Sequence, residues 1–402
     1  RLGETSHLTS SKRVYLSDYV EHGVPFFRGK EISELEKGVV PDDVLYISRE
    51  AFDRFRDKFG APASGDILIT AVGTLANVFR VRKDQEFYFK DGNLVWLRAV
   101  KENSEFLEHL LRFNRPLVLR SAIGSSQKAL TIVELSKLRL SFPTLPEQRK
   151  IASFLGAVDT RIAQLDEKRN LLEDYKKGCM QQLFSRKIRF KDDTGNGFPD
   201  WEEKRLGEVF SWINTNSLSR ERLTEEGGQV QNIHYGDIHK KFSTNFRQQA
   251  EHVPYVKNAV SSDFKPEQFC KVGDVVIADA SEDYADIGKA IEIVSLSETP
   301  MVAGLHTYIA RPKPETIQSG FGGYLLRSKP MRRQIERIAQ GISVLGISKR
   351  NLEKLTFLLP HPDEQRKISD FLSALDRKID LVGQELNCAR SFKKGLLQQM
   401  FV

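Results

Sequence analysis

This chain repeats itself, and the repeat limits its fold more than any other feature. The segment Glu147 to Phe184, EQRKIASFLGAVDTRIAQLDEKRNLLEDYKKGCMQQLF, returns without a gap as Glu364 to Phe401, EQRKISDFLSALDRKIDLVGQELNCARSFKKGLLQQMF. The offset is 217, and 17 of the 38 positions are identical. Upstream, the same offset joins Leu135, Lys137, Leu138 and Pro143 to Leu352, Lys354, Leu355 and Pro360. It then drifts. Leu110-Leu111-Arg112 matches Leu325-Leu326-Arg327 at 215, Gly65-Asp66 matches Gly273-Asp274 at 208, and Arg1-Leu2-Gly3-Glu4 matches Arg205-Leu206-Gly207-Glu208 at 204. Steady drift is what insertions in the second copy produce, so the chain reads as globule, repeat, globule, repeat.

Both globules read as mixed α/β. In the first, VPFF, VLYIS, DILIT, VFRV, EFYF and LVWLRA are short β-branched and aromatic runs broken by turn residues. In the second, VQNIHY, DVVIA, AIEIV and HTYIA do the same. A helix is predicted late in each globule, over Glu105 to Phe113 with Ser104 as N-cap, and over Tyr324 to Gln340. KDDTGNGFPDWEEK reads as a linker because of its glycines and proline.

The preserved segments carry apolar residues in steps of four and three. The first runs Ile151, Leu155, Val158, Ile162, Leu165, Arg169, Leu172, Lys176, Cys179, Leu183. The second runs Ile368, Leu372, Leu375, Ile379, Val382, Leu386, Ala389, Lys393, Leu396, Met400. A seam of period 3.5 with charge elsewhere is the pattern of a coiled coil, and Pro146 and Pro362 suit helix starts. The two helices are expected to pack antiparallel on each other and to hold the globules apart, the alternative being that each packs on its own globule. Arg169, Lys176 and Lys393 are expected to snorkel from the seam. Polar identities off the seam, Gln148, Arg149 and Lys150 with Gln365, Arg366 and Lys367, and Lys177, Gly178, Gln181 and Gln182 with Lys394, Gly395, Gln398 and Gln399, point either to a common partner or to a common helix cap.

With their proline-bearing lead, EQRKI core and FLxxxD helix, LSKLRLSFPTLPEQRKIASFLGAVDTRI and LEKLTFLLPHPDEQRKISDFLSALDRKI resemble the conserved regions of specificity subunits of type I restriction-modification systems. FKDDTGNGFPDWEEKRLGEVF resembles the segment by which that family enters its second target recognition domain. The resemblance implies target recognition domains at 1–146 and 205–362, conserved helical spacers at 147–190 and 363–402, and a linker at 191–204. Each recognition domain would read one half of a bipartite double-stranded DNA target. The helices would dock two methyltransferase subunits that carry S-adenosylmethionine, and restriction subunits would add ATP and magnesium chemistry. The first unit begins at RLGE without the lead-in seen before the second, so the natural N-terminus is expected to lie upstream.

The residues themselves offer little for an enzyme. Gly288-Lys289 is followed by Ala290 and makes no phosphate loop, and Gly195-x-Gly197 lies in the linker rather than between a strand and a helix. No NPPY-like loop is present, and Pro199-Asp200 with Glu202-Glu203-Lys204 echoes a nuclease only superficially. His234 and His239 have no further ligands at metal spacing, so no metal or other cofactor is expected in this chain. Sixty-one basic against 54 acidic residues suit a polyanionic partner, and three cysteines without a CxxC pair suit the cytoplasm.

DNA contact is expected from basic, amide, hydroxyl and aromatic side chains at strand ends and loops, because these pair with base edges and phosphates. In the first globule the candidates are Arg28, Lys30, Thr70, Thr74 and Asn77, with the basic cluster Arg49, Arg54, Arg56 and Lys58. In the second they are His234, Tyr235, Lys240, Lys241, Ser281, Tyr284 and Lys289. The expected function is that of a non-catalytic DNA specificity subunit. A standalone restriction-modification enzyme and a DNA-independent scaffold are the alternatives.

Overall fold

Short strands that bury both faces need cover on each side, and in both copies helices cover one face of the central sheet while a short helix and strands of a second sheet cover the other. A computed structural model describes residues 1–125 and 127–401. The chain divides into two compact units: unit 1 is Arg1–Leu165 with the chain from Glu385 onward, and unit 2 is Asp166–Gln384.

In unit 1 one antiparallel sheet has the order His7–Thr9, Leu94–Arg98, Ile67–Thr70, Val78–Arg80. A second sheet has the order Tyr19–Val20, Leu45–Ile47, Val24–Phe27, Tyr88–Phe89, with the last pair parallel. Unit 2 repeats both. Its first sheet runs Phe210–Ile213, Thr307–Pro312, Val275–Ala278, Ala290–Ser295 and adds Asn245–Arg247. Its second runs Leu223–Thr224, Tyr255–Val256, Gln231–Ile233, Met301–Ala303, again with the last pair parallel. Two sheets with the same strand order, and the same parallel pair at the end of the second, make the units copies of one fold, while the strand added in unit 2 runs parallel to Ala290–Ser295. They diverge between the sheets: unit 1 has the helix Arg49–Phe59 where unit 2 has short 3-10 turns at Ser261–Asp263 and Pro266–Gln268.

Two sequence expectations shift locally. The first late helix spans Ser104–Phe113, and its cap is Asn103, whose Oδ1 accepts from Phe106 N at 2.9 Å, rather than Ser104. The stretch Tyr324 to Gln340 is two helices, Phe321–Arg327 and Lys329–Ile338, broken at an extended Ser328. Pro330 accounts for the break, since a proline inside a continuous helix would remove a hydrogen bond and clash with the carbonyl four residues back. The stretch 191–204 is also less of a free linker than its composition suggests. Glu202–Arg205 forms a strand against Thr356–Leu359, and the Trp201 indole is buried and donates to Glu364 at 2.9 Å.

The preserved segments form two long helices, Leu145–Phe184 and Pro362–Met400. In unit 1, Phe154 meets Phe392 edge-on at 6.5 Å, and Arg161 lies 3.4 Å from Glu385 one heptad further on. One helix therefore rises as the other falls. Of the seam, Leu155, Leu165, Ile368, Leu372, Leu375, Val382 and Leu386 are buried, while Ile151, Val158, Ile162, Leu172 and Ile379 are half-buried.

The seam lysines do more than snorkel. In unit 1 Lys393 pairs with Asp159. In unit 2 Lys176 pairs with Asp376. The offset 217 carries Asp159 onto Asp376 and Lys176 onto Lys393, so each copy's lysine holds the other copy's aspartate. Each pair also meets a globule side chain at one repeat position. In unit 2 this is Tyr324, whose hydroxyl donates to Asp376 at 2.6 Å and whose ring lies 5.3 Å from the Lys176 ammonium. In unit 1 it is the buried His109; burial pushes its pKa down to about 4, with Lys393 adding to the shift. Arg169 instead pairs along its own helix with Glu173 at 2.9 Å.

The retained Gln148 and Gln365 are buried, and they fasten each long helix to its globule in the same way. Gln148 Nε2 donates to the Pro143 carbonyl at 2.9 Å while Oε1 accepts from Asn103 N at 3.0 Å. Gln365 Nε2 donates to the Pro360 carbonyl at 2.9 Å while Oε1 accepts from Gln318 N at 2.8 Å. For these two residues, anchoring within the unit explains the identity.

Candidate nucleic-acid interface

In each unit three loops converge at one place. The first follows the parallel strand and opens a short helix, Gly29–Glu36 in unit 1 and Tyr235–Lys240 in unit 2. The second is the hairpin that joins the central strands, residues 71–77 in unit 1 and 279–289 in unit 2. Side chains pin the two together: Asn77 Nδ2 donates to Ser33 Oγ at 2.6 Å in unit 1, and Lys289 Nζ donates to the His239 carbonyl at 2.5 Å in unit 2.

The third loop was not singled out from sequence. It is closed by the bridges Ile123–Ala129 and Gln340–Gly346, which correspond at the offset 217. Gly124 and Gly341 take φ of +110° and +129°, and a Cβ on either would sit 2.3 and 2.0 Å from a carbonyl oxygen three residues on, so only glycine fits. Each loop reaches its hairpin through a matching backbone bond at 2.9 Å, Leu130 N to Ala71 O and Ile347 N to Asp279 O, and in unit 2 Leu345–Gly346 also pairs with Ala280–Ser281. Helices capped by Thr131 and Ser348 follow. The glycines and caps stand at the repeat offset, so the signal was present in the sequence. Gln127, Lys128, Ile342 and Val344 are exposed on these loops.

Two arginines set the hairpins. Arg115 Nη2 donates to the Leu75 carbonyl at 3.0 Å and to Asn77 Oδ1 at 2.6 Å. Arg332 Nη1 donates to the Ile287 carbonyl at 2.6 Å, and its Nη2 to the carbonyls of Tyr284 and Ala285, each at 3.2 Å. They too correspond at 217.

Several candidates turn inward once this framework is in place. Thr70 is buried, its hydroxyl accepting from Asn77 N at 2.9 Å, and Asn77 is buried in the bonds already described. Ser281 is buried and accepts from Asp283 N at 3.0 Å. His234 is buried and caps its helix, Nδ1 accepting from Gly236 N at 3.1 Å. Arg28 is tied to the fully buried Glu31, and Lys289 is spent on the hairpin. These six hold loop geometry instead of presenting free groups, because a polar side chain at a tight turn satisfies nearby backbone first.

The others face outward. Lys30, Thr74, Lys240, Lys241 and Tyr284 are exposed. Tyr235 is half-buried among imidazoles, with ring centroids 4.6 Å from His234, 5.8 Å from His239 and 5.4 Å from His306. Burial lowers the pKa of His234 and His239 and favours their neutral forms. The basic cluster lies apart on the helix Arg49–Phe59. Arg49 pairs with Glu86 at 2.6 Å, Arg54 with Asp18 at 2.7 Å and Arg56 with Asp53 at 2.8 Å, while the Lys58 ammonium lies 5.3 Å from the Phe59 ring. Such exposed pairs are worth little, so phosphates can displace their acids at small cost.

A duplicated α/β module with polar loops gathered at one place in each copy, joined to paired helices, defines a bipartite recognition protein. The family model described as type I restriction modification DNA specificity domain matches residues 3–174 and again 199–388, and the chain belongs to that family. The chain is 24% identical over 313 residues to the type I restriction enzyme MjaVIII specificity subunit of Methanocaldococcus jannaschii, spanning 74% of this chain and 70% of that protein. It is 30% identical over 170 residues to a putative type I restriction enzyme specificity subunit, S.HindORF215P of Haemophilus influenzae, spanning 41% of each. The type I S subunit structure from M. genitalium shares the fold with a TM-score of 0.61 at 17% identity, over 100% of this chain and 95% of that one. A chain from a structural study of type I complex assembly and conformational transition gives 0.56 at 19% identity, over 100% and 96%. Among the described residues no helix is long and apolar enough to cross a membrane.

Proposed function

We propose that this chain is the non-catalytic, cytoplasmic specificity subunit of a type I methyltransferase complex, and that its loops bring two methyltransferase subunits to an asymmetric two-part DNA site. The recognition domains are 1–146 and 205–362, joined by the spacers 147–190 and 363–402 and the linker 191–204. The observation that carries the reading is that the same three-loop arrangement occurs once in each copy while its exposed side chains differ. One geometry with two sets of reading groups is what two different half-sites require. Lys30, Thr74, Gln127 and Lys128 serve the first half-site, with phosphate contacts from Arg49, Arg54, Arg56 and Lys58. Tyr235, Lys240, Lys241 and Tyr284 serve the second. The helix pair sets the gap between them, as any two readers of one duplex must be spaced to meet the groove. S-adenosylmethionine belongs to the methyltransferase partners, and ATP and magnesium to restriction partners where these assemble.

The test is an exchange of residues 205–340 for those of another family member, followed by mapping of methylated adenines in DNA treated with the assembled complex. One half of the target changes and the other stays. A change in both halves, or methyl transfer by this chain without partners, would refute the reading.

A further inference from the structure

The copies differ most informatively at one arginine. Position 112 in the first copy matches position 327 in the second at the offset 215. Arg112 is neutralised within unit 1: its Nη2 lies 2.9 Å from Glu108 and its Nε 3.8 Å from Glu36. In unit 2 the position matching Glu108 is Gly323, where a Cβ would approach the Thr244 carbonyl to 2.9 Å, so no glutamate can stand there. Arg327 Nε donates to the Ala290 carbonyl at 2.7 Å, but Nη2 is buried with no partner, and no carboxylate pairs with this guanidinium among the described residues. Asp376, the anion that acts on it most, is already shared by Lys176 and the Tyr324 hydroxyl. Burial pulls the pKa of Arg327 down to about 10.

Arg327 lines a cavity of about 800 Å³ that lies wholly within unit 2, between the paired long helices and the helices Phe321–Arg327 and Lys329–Ile338. That volume suits a ligand of nucleotide size. A second unmet group lines the same cavity. Asn245 Nδ2 donates to the Gly320 carbonyl and to Ser373 Oγ, but its Oδ1 is buried without a donor. The exposed cations Arg247, Lys329 and Arg377 stand along the wall and form no ion pair among the described residues, and they outnumber the acids Glu251 and Asp380 of the same wall.

We propose that this cavity binds a small phosphorylated molecule, with its oxyanion on Arg327 and a hydroxyl or amino group donating to Asn245. The ligand supplies from outside the negative charge that Glu108 supplies within the first copy. A guanidinium fork matches a phosphate with two parallel hydrogen bonds, and the rim cations add attraction without requiring a fixed geometry.

The test is calorimetric titration of the full chain with AMP, adenosine and inorganic phosphate, with ionic strength held constant by sodium chloride. Saturable binding of AMP and phosphate, and none of adenosine, is expected. Tighter binding of AMP than of phosphate assigns a nucleotide, and equal binding assigns free phosphate as the ligand. Arg327→Gln lowers affinity by about tenfold or more. Without ligand it melts no lower than the unsubstituted chain, because an unpaired charge has been removed, and phosphate no longer raises its melting temperature. Should that variant fail to fold, Arg247→Gln with Arg377→Gln, both at exposed positions, weakens AMP binding several-fold with unchanged circular dichroism. Absence of saturable binding by either phosphate probe, or undiminished AMP binding by Arg327→Gln or by the rim pair, would overturn the proposal.

Discussion

The reciprocal ion pairs offer a sharp test of the helix pairing, because Asp159 and Lys393 lie 234 residues apart in sequence. The perturbation is a double-mutant cycle of Asp159→Asn, Lys393→Met and both together. The aspartate and lysine side chains are 36% and 20% exposed, so the pair is partly shielded from water. A charged hydrogen bond is worth about 1.5 to 3 kcal/mol, and solvent access at the aspartate places each single loss near the lower bound, about 1 to 2 kcal/mol. Each single substitution also leaves one charged group without its partner beside an apolar seam, which the double removes. The double variant should therefore lose about 1 kcal/mol less than the sum of the singles. Urea denaturation of the full chain, followed by circular dichroism and compared across the four proteins, gives the coupling. The swap Asp159→Lys with Lys393→Asp should recover most of the stability that either reversal loses alone. Strict additivity, together with a swap no better than its worse single, would refute the pairing and with it the account of why these positions are retained in both copies.

Three further outcomes follow. Gln365→Ala removes a buried side chain that satisfies one backbone N–H and two carbonyls, so denaturation should show a loss of about 3 kcal/mol, and Gln148→Ala should show a similar loss. Arg149→Ala and Arg366→Ala, at exposed positions, should change stability by about 0.5 kcal/mol or less. The third concerns pH. His109 titrates near 4 in the folded chain against 6.5 when free, so the unfolded chain takes the proton first on acidification. Its contribution to stability is intact above about pH 6.5, falls as pH drops toward 4, and is then constant. The wild type should lose about 3 kcal/mol more than His109→Gln between about pH 7 and about pH 4, measured by denaturation at each pH, and parallel curves would remove the explanation.

What the sequence made legible depended on periodicity and repetition. The seam of the long helices needs only a period of 3.5, and the drifting offset revealed two copies before any strand was paired. The strands themselves were marked by apolar runs between turn residues. Direction of side chains was another matter. Thr70, Asn77 and Ser281 have the right chemistry for DNA, yet the hairpins fold them inward. The cause is Arg115 and Arg332, which reach the hairpins from 38 to 48 residues away in the chain. Retention of Gln148 and Gln365 could not reveal whether the amides face a partner or a proline carbonyl of their own globule. The glycine loops at Gly124 and Gly341 were readable, because both residues sit at the repeat offset. Their weight became clear only when the bridges on either side were seen to match.

The central claim is that the helix pair is a ruler for DNA. Inserting one heptad after Leu165 and another after Gln384 keeps the seam in register and lengthens the pair by about 10 Å. Mapping methylated adenines with the assembled complex reads the result directly. The account predicts both half-sites unchanged and the gap between them longer by about three base pairs, at about 3.4 Å each. Full methylation at the original gap would contradict it.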